Sequence, residues 1–353
     1  MSLKLLTKPV PPKVFGTLLT NIVKKGLCCG CGNCVAACPV MALTMKEEMP
    51  AMTGICVTCE ICYYQCPKVD FPYERYEEIL FGRRRRNDEP IGVVREVYTA
   101  RATSEEFRSR GTDGGVVTAL LSYLLKSGTV DGAVVCGVDP KDYWKATPIL
   151  AVSDKDLIEA AGTKYTSAPM MLGLAEAVRD YGKESLAFVG TGCRIEALRK
   201  SQFEERNYYW WGKRVKVAIG LFCFESFHDK ILREYLPAKG INLSEVSKFH
   251  ITKGRFFVYS GNKILLKAPL KEVAQYAFSS CSTCANVTNE YADISVGGAG
   301  SPDGWNTVIL RSETGEKLFK AAVEAGFIEA SAISNEGLEA VIKLAGLKKK
   351  KEH

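Results

Sequence analysis

Two cysteine runs of identical spacing near the N-terminus constrain this chain more than any other feature. They are Cys28-x2-Cys31-x2-Cys34-x3-Cys38-Pro39 and Cys56-x2-Cys59-x2-Cys62-x3-Cys66-Pro67. This spacing is typical of chains that hold two [4Fe–4S] clusters, in which the fourth cysteine of each run binds the other run's cluster. We therefore predict one cluster on Cys28, Cys31, Cys34 and Cys66, and a second on Cys56, Cys59, Cys62 and Cys38. Such a chain is expected to carry electrons.

Zinc and disulfides are the alternatives for these cysteines, and the spacing disfavours both. A structural zinc site takes four ligands, usually as two separated pairs. Disulfides are disfavoured because the residues before the runs do not resemble a secretory signal. Cys29 falls out of the register of the first run, so we predict a small apolar residue there rather than a ligand.

Length and composition indicate one small and one large folded domain. The chain has 353 residues, of which 46% are hydrophobic, enough for two cores. We predict an N-terminal arm at 1–20, a ferredoxin-like domain at 21–70, a basic linker at 71–91 and a large domain at 92–353. The longest apolar stretch, 116–125, is too short to span a bilayer. We expect a cytoplasmic protein that reaches a membrane only through a partner.

The formal charge of +7 is concentrated in two short runs, Arg83 to Arg86 and Lys348 to Lys351. The arginine run is either a solvated part of the linker or a surface that attracts an acidic ligand or a docking partner. The lysines are predicted to form a frayed tail. Nucleic-acid binding is disfavoured because neither run has interleaved aromatic residues or a recognition motif.

Strand and helix signals alternate after residue 92, which favours a layered α/β domain. Gly114 and Gly115 open a helix that runs to Lys126, and Ser153 with Asp156 forms a capping box. Two hairpins are predicted, one between the cysteine runs at 41–53 and one at Gly261-Asn262. Since the C-terminal part is mixed, the predicted fold class is α+β or α/β, with a two-cluster ferredoxin-like domain followed by a larger mixed α/β domain.

Four more cysteines of the large domain have suggestive positions. Cys193 lies in a glycine-rich turn from a strand to a helix, Cys223 at a strand end, and Cys281-x2-Cys284 in a loop. Four thiolates can hold a third [4Fe–4S] cluster, and a helix N-terminus favours the thiolate of Cys193. The alternative is that Cys193 and Cys223 are core residues and the other two form a redox pair. Cys136 is predicted to be a core residue.

Four glycine loops at strand ends or helix starts suit a phosphate or pyrophosphate. They are residues 111–115, 161–165, 190–192 and 297–300. None matches the dinucleotide fingerprint or a P-loop. The loops predict a nucleotide bound on an unusual fold.

Five segments in the same order resemble the β-subunit family of coenzyme F420 hydrogenases and dehydrogenases. They are SRGTDGGVVTAL at 109–120, AAGTKYTSAP at 160–169, VGTGCRIEALR at 189–199, IGLFCFESF at 219–227 and CSTCANVTNEYADISVGGAGSPDGWNTVILR at 281–311. With two cysteine runs in front, the chain is most similar to the electron-input subunits of the reduced-coenzyme-F420 dehydrogenase complexes of methanogenic and sulfate-reducing archaea. One departure is Gly192, where the family usually has proline before the cysteine.

The resemblance implies FAD, coenzyme F420 as substrate, and a [4Fe–4S] cluster beside the flavin on Cys193, Cys223, Cys281 and Cys284. Lys164 or Arg194 is then either a cation that faces the flavin phosphate or ring, or an ordinary surface cation. The candidate cofactor-binding residues are Gly114, Gly115, Thr118, Gly162, Thr163, Lys164, Tyr165, Gly190, Thr191, Gly192, Arg194, Gly297 and Gly298.

The implied function is oxidation of reduced coenzyme F420 by hydride transfer to FAD. Single electrons would then pass through the clusters to a redox partner protein or a membrane-bound dehydrogenase complex. No acid–base residue is indicated, and His228 and His250 are either structural or catalytic. The alternatives are a flavin-free iron–sulfur electron-transfer subunit and a reductase of the same family for another substrate, such as a chlorophyll pigment.

Overall fold

The structure, a computed structural model, describes residues 11–206 and 211–349. Strands in these residues are β1 Leu43–Lys46, β2 Met49–Met52, β3 Glu96–Ala102, β4 Gly132–Val138, β5 Ala146–Ala151, β6 Leu186–Thr191, β7 Val215–Leu221, β8 Lys248–Thr252, β9 Arg255–Ser260, β10 Lys263–Pro269, β11 Ile294–Gly297, β12 Asn306–Leu310 and β13 Ile328–Ala332.

The α-helices are α1 Phe15–Leu18, α2 Asn33–Ala36, α3 Ile61–Tyr64, α4 Tyr73–Phe81, α5 Glu105–Arg110, α6 Val116–Lys126, α7 Asp154–Glu159, α8 Met170–Arg179, α9 Gly192–Phe203, α10 Leu236–Ala238, α11 Leu270–Val273, α12 Glu313–Glu324 and α13 Asn335–Lys349. Two π-helical turns cover Leu19–Val23 and Ile231–Tyr235. Short 3₁₀ turns cover Trp211–Arg214, Leu243–Glu245, Ala274–Tyr276 and Ser279–Cys281. In the described part of the chain, no helix is long and apolar enough to cross a membrane.

The large domain is built on one eight-stranded mixed sheet of order β13-β3-β12-β11-β7-β6-β4-β5. The central strands β11, β7, β6 and β4 run parallel, and the outer strands pair antiparallel. This agrees with the predicted mixed α/β class. Parallel strands end at a common edge, where ligands of α/β sheets bind.

Both faces of the sheet are covered, because the central strands are apolar on both sides. Along β6, Ala187 and Val189 face the core formed with α6 and α12, whereas Leu186 and Phe188 face the core formed with α8 and α9. Helix α6 begins after Gly115, whose φ of 71° suits glycine and whose added Cβ would lie 2.6 Å from the Phe107 carbonyl oxygen.

Smaller sheets flank the large one. β8, β9 and β10 form an antiparallel sheet over its own core, and β1 pairs with β2 in the N-terminal part, as the sequence predicted for residues 41–53. The N-terminal part packs on α8 and α9. Asn33 Nδ2 donates to the Ala197 carbonyl at 3.2 Å, and Met171 N donates to the Cys31 carbonyl at 3.1 Å. The first cysteine run therefore lies directly against the large domain.

Three predictions for exposed segments are wrong. The arm predicted at 1–20 is helical from Phe15, although residues 1–10 lie outside the described residues. The linker predicted at 71–91 contains α4, in which Tyr76 and Glu77 are buried. The predicted frayed tail ends in α13, and Lys348 is 3% exposed, with its Nζ donating to the Cys281 carbonyl at 2.6 Å. Residues 350 and 351 of that tail lie outside the described residues.

Candidate functional site

The eight N-terminal cysteines line two cavities, and each cavity has three cysteines from one run and the fourth cysteine of the other run. One cavity, the first cage, is lined by Cys28, Cys31, Cys34 and Cys66. The other, the second cage, is lined by Cys38, Cys56, Cys59 and Cys62. Gly30 and Gly32, at φ of 70° and 80°, provide the left-handed backbone of the first loop. This arrangement is the one predicted from the sequence, and cluster binding remains a prediction.

The donor set of each cage fits a cluster better than a single ion. Within residues 11–206 and 211–349, no three His, Cys, Asp or Glu side chains converge closely enough to hold one metal ion. A cubane is larger than an ion, so its four ligands stand further apart around a cavity. All fourteen cysteines are described, and each has a free thiol. Burial raises the pKa of Cys62 and of Cys66 to about 12, and a bound metal would deprotonate them.

The four cysteines of the large domain line one further cavity, the third cage, formed by Cys193, Cys223, Cys281 and Cys284. Cys193 lies in the first turn of α9 and Cys223 follows β7, so two parallel strands deliver both to one sheet edge. The Ser226 N–H donates to Cys281 Sγ at 3.5 Å. Burial raises the pKa of Cys284 to about 12. This geometry fits a cluster at the position where the sequence left two alternatives.

Cys29 and Arg194 lie at the third cage in roles that the sequence did not indicate. Cys29 is buried and lines the cavity beside Cys193. The contact with Cys29 and burial raise the pKa of Cys193. Arg194 donates to Cys193 Sγ and, at 2.5 Å, to Ser167 Oγ. Arg194 is thus a buried partner of sulfur in this structure, and its predicted place beside the flavin is untested.

An ion pair with a buried carboxylate, also missed by the sequence analysis, lies between the first and third cages. Lys68 Nζ lies 3.5 Å from Glu196 Oε2, with 19% and 3% of the two side chains exposed. The other oxygen of Glu196 accepts a hydrogen bond from Asn286 Nδ2 at 2.9 Å. The sequence holds no signal for this pair beyond the closeness of each residue to a cysteine: Lys68 follows Cys66 by two residues and Glu196 follows Cys193 by three.

Three of the four glycine loops meet in the structure. Thr112 and Thr163 bring the first two together through their hydroxyls at 2.7 Å. The loop at 297–300 joins them at Gly298, where an added Cβ would lie 2.5 Å from Asp113 Oδ2. The fourth loop, at 190–192, contributes Thr191 and Gly192 to the lining of the third cage.

The space left by most of these glycines is filled by the chain itself. An added Cβ at Gly114 would lie 2.8 Å from Asn306 Oδ1, and one at Gly297 would lie 2.2 Å from the Phe222 ring. An added Cβ at Gly190 would lie 2.8 Å from Arg194 Cβ. Packing therefore explains these glycines without a ligand.

Residues 162–166 fit a bound cofactor best. An added Cβ at Gly162 would meet only the Arg110 carbonyl oxygen, at 3.4 Å. Thr166 Oγ1 is buried and has no hydrogen-bond partner within the described residues, which indicates a missing polar partner. Tyr165 is fixed by its hydroxyl, which accepts from Ile251 N at 2.8 Å.

Two other predicted residues serve the chain's own structure. The ammonium of Lys164 donates to three carbonyls, including those of Ala161 at 2.9 Å and Gly162 at 3.0 Å. Its three donors are therefore engaged, and burial lowers its pKa to about 8. Thr118 is buried in the first turn of α6.

The two candidate histidines lie in different surroundings. His228 Nδ1 is 2.6 Å from Glu48 Oε2, and its ring stacks on Phe278 with centroids 3.8 Å apart. This contact fastens the β1–β2 hairpin to the large domain, which favours a structural role. His250 Nε2 lies 3.7 Å from Asp113 Oδ1 beside the glycine loops. Burial lowers the pKa of His250 and raises that of Asp113.

The arginine run is engaged by carboxylates of the chain. Arg85 pairs with Glu77 and Glu290, two carboxylates that are 2% and 5% exposed. The remaining pairs are Arg83 with Glu89, Arg84 with Glu74 and Glu78, and Arg86 with Asp88 and Glu89. Arg84 and Arg85 thus fasten α4, and the pairing of all four arginines within the chain favours a structural role over the attraction of an acidic ligand.

The large domain matches a known family over most of its length. Residues 97–175 and 183–336 match the models for the N-terminal and C-terminal parts of the beta subunit of "Coenzyme F420 hydrogenase/dehydrogenase". The chain is 39% identical to "Coenzyme F420 hydrogenase subunit beta" of Methanothermobacter thermautotrophicus, over 74% of this chain and 93% of that protein. The chain belongs to the coenzyme F420 hydrogenase/dehydrogenase β-subunit family, which confirms the resemblance predicted from its five segments.

Two further relatives extend this comparison. The F subunit of the F(420)H(2) dehydrogenase of Methanosarcina mazei is 33% identical over 97% of this chain and 93% of its own length, so the match includes the cysteine runs. A chain of the F420-reducing [NiFe] hydrogenase complex from Methanosarcina barkeri has a TM-score of 0.71 and 34% identity, covering 76% of this chain and 93% of that one.

Proposed function

We propose that this protein oxidises reduced coenzyme F420 at a bound FAD and passes the electrons through three [4Fe–4S] clusters to a partner protein. FAD accepts a hydride as an electron pair and releases the two electrons singly, which joins a hydride donor to one-electron carriers. The residues that would hold it are those of the three converging loops, above all Gly162 to Thr166. The three cages would hold the clusters.

One observation carries the proposal: Ser226 connects residues 162–166 to the third cage. Its hydroxyl donates to the Tyr165 carbonyl at 3.2 Å, and its N–H donates to Cys281 Sγ at 3.5 Å. The next residue, Phe227, donates its N–H to the same Tyr165 carbonyl at 2.8 Å. A group bound at residues 162–166 would thus lie beside the sulfurs of the third cage, which a transfer of single electrons requires.

Residues of the chain hold Tyr165 in place and exclude water where residues 162–166 meet the third cage. Tyr165 is held at both its carbonyl and its hydroxyl, so its backbone is fixed against the cage. Phe227 and Phe278 are 0% and 3% exposed and shield the junction from water. The names of the relatives describe subunits of hydrogenase and dehydrogenase assemblies, which supports a partner protein as the final acceptor.

The test is anaerobic purification followed by reduction with reduced coenzyme F420. We expect about one FAD and about twelve irons per chain, with flavin absorbance bleached by reduced coenzyme F420 and not by NADH. In Cys281→Ala, the flavin should still bleach, about four irons should be lost, and reduction of the N-terminal clusters should fail. Cys136→Ala is the matched control, because Cys136 is a sheet cysteine outside the three cages.

Other results would replace the proposal. A reconstituted protein without flavin would leave the flavin-free electron-transfer subunit. A flavin that bleaches only with a different reductant would indicate a reductase of the same family with another substrate. Normal reduction of the N-terminal clusters in Cys281→Ala would remove the third cage from the electron path.

A further inference from the structure

The first and third cages share a wall. Cys29 and Lys68 line the cavity of the first cage and also the cavity of the third. Lys68 does not line the second cage, which is bounded by other residues. One cation, 19% exposed, is therefore common to two of the three predicted clusters.

An ion pair fixes this cation between the two cages. Glu196 belongs to α9, one turn after Cys193, and it holds Lys68, which directly follows the Cys66-Pro67 pair of the first cage. Glu196 is itself held by Asn286, two residues after Cys284. The loops of both cages thus meet at Lys68 and Glu196, and neither side chain can move without disturbing one of them.

We infer that Lys68 is a positioning residue for electron transfer, whose charge raises the reduction potentials of the clusters in the first and third cages at the wall where an electron crosses between them. The inference rests on the proposed function, which places clusters in both cages. One electron leaves the third cage and one arrives in the first. No bond is made or broken and no proton moves.

The physical reason is the charge that reduction adds. A reduced cluster is one unit more negative, and a nearby buried cation stabilises it more than the oxidised form, so the reduction potential rises. The effect of Lys68 reaches both cages in the structure. The Lys68 side chain lines the cavity of the first cage and the cavity of the third cage.

The test uses the intact holoprotein and potentiometric titration followed by electron paramagnetic resonance. In Lys68→Gln, we expect the midpoint potentials of the clusters in the first and third cages to fall. The one-electron reduction equilibrium of each should change at least tenfold, which corresponds to a fall of about 59 mV or more. The third cluster, in the second cage, should keep its potential. Lys68→Arg is the matched control that retains the charge, and its potentials should stay near those of the unsubstituted protein.

Glu196→Gln is the second variant and keeps the inference testable if Lys68→Gln does not load its clusters. It removes the negative charge beside the same wall, so the same two potentials should rise. Unchanged potentials in both variants, or equal shifts in all three clusters, would overturn the inference.

Iron content separates this inference from the proposed function. About eight irons in the unsubstituted protein would remove the third cluster and overturn both. About twelve irons with potentials that do not respond to Lys68→Gln would overturn the role of Lys68 alone.

Discussion

Replacing Cys66 tests whether the two cysteine runs exchange their fourth ligands. Cys66 belongs to the second run in sequence, yet it lines the first cage with Cys28, Cys31 and Cys34. It is 9% exposed, so water cannot easily replace its sulfur. In Cys66→Ala we therefore expect loss of the cluster held by the first run, although the substitution lies in the second.

The magnitude follows from the cages. One cluster of three corresponds to about four of about twelve irons, with the other two clusters retained. Because Cys29 lines the same cavity and offers a spare thiol, the assay includes Cys29→Ala together with Cys66→Ala. Iron analysis gives the loss, and electron paramagnetic resonance shows which signal disappears. Cys38→Ala is the matched control, since it should remove the signal of the second cage instead.

The exchange of fourth ligands between the two runs requires that Cys66→Ala removes the signal of the first cage and Cys38→Ala removes the signal of the second. If Cys66→Ala removes the same signal as Cys59→Ala, each run holds its own cluster. The cavities described above would then group the cysteines incorrectly.

Two further predictions concern stability. Arg311 is fully buried and donates to the carbonyls of Ile91, Val93 and Thr288 at 2.8 to 3.0 Å. Arg311→Met should therefore lower the free energy of unfolding by about 3 kcal/mol or more. Arg101, whose side chain is 37% exposed, is the comparison: Arg101→Met should cost about 1 kcal/mol or less, and equal shifts in the denaturant midpoints of the two variants would contradict this. Burial lowers the pKa of Lys164 from its ordinary value of 10.5 to about 8, so the unfolded chain binds more protons between these pH values, and stability should rise by up to about 3 kcal/mol as pH increases through them. The rise should be absent in Lys164→Met, and denaturant titrations at pH values below and above this window compare the two proteins.

The parts of the fold that were predictable depend on local patterns. The capping box at Ser153 and Asp156 and the hairpin at Gly261 follow from adjacent residues, and both are present. β13 and β8 have no such local pattern, because they are short strands with mixed burial. β13 is defined by pairing with β3, more than 200 residues earlier in the chain.

The site divides in the same way. The cysteine spacing predicted the two N-terminal cages, since each run forms a tight local loop. The roles of Cys29, Lys68 and Glu196 were not predictable, because they arise when the first cysteine run docks on α9. The Asn33 side chain and the Ala197 carbonyl that join there are 164 residues apart in sequence. The alternative that Arg194 and Lys164 are ordinary surface cations does not hold. Arg194 is buried against Cys193 and Ser167, and the half-buried Lys164 donates to carbonyls of its own loop.

The third, first and second cages lie in that order between residues 162–166 and the protein surface. The third cage adjoins residues 162–166 through Ser226, and it shares a wall with the first cage. The second cage is the most exposed, because Cys59 is an exposed residue and Ile55 beside it is 88% exposed. On the path that we propose, electrons that enter at residues 162–166 would reach the protein surface at the second cage. A partner protein that accepts them would dock there, since electron transfer requires the accepting group to approach the last cluster closely.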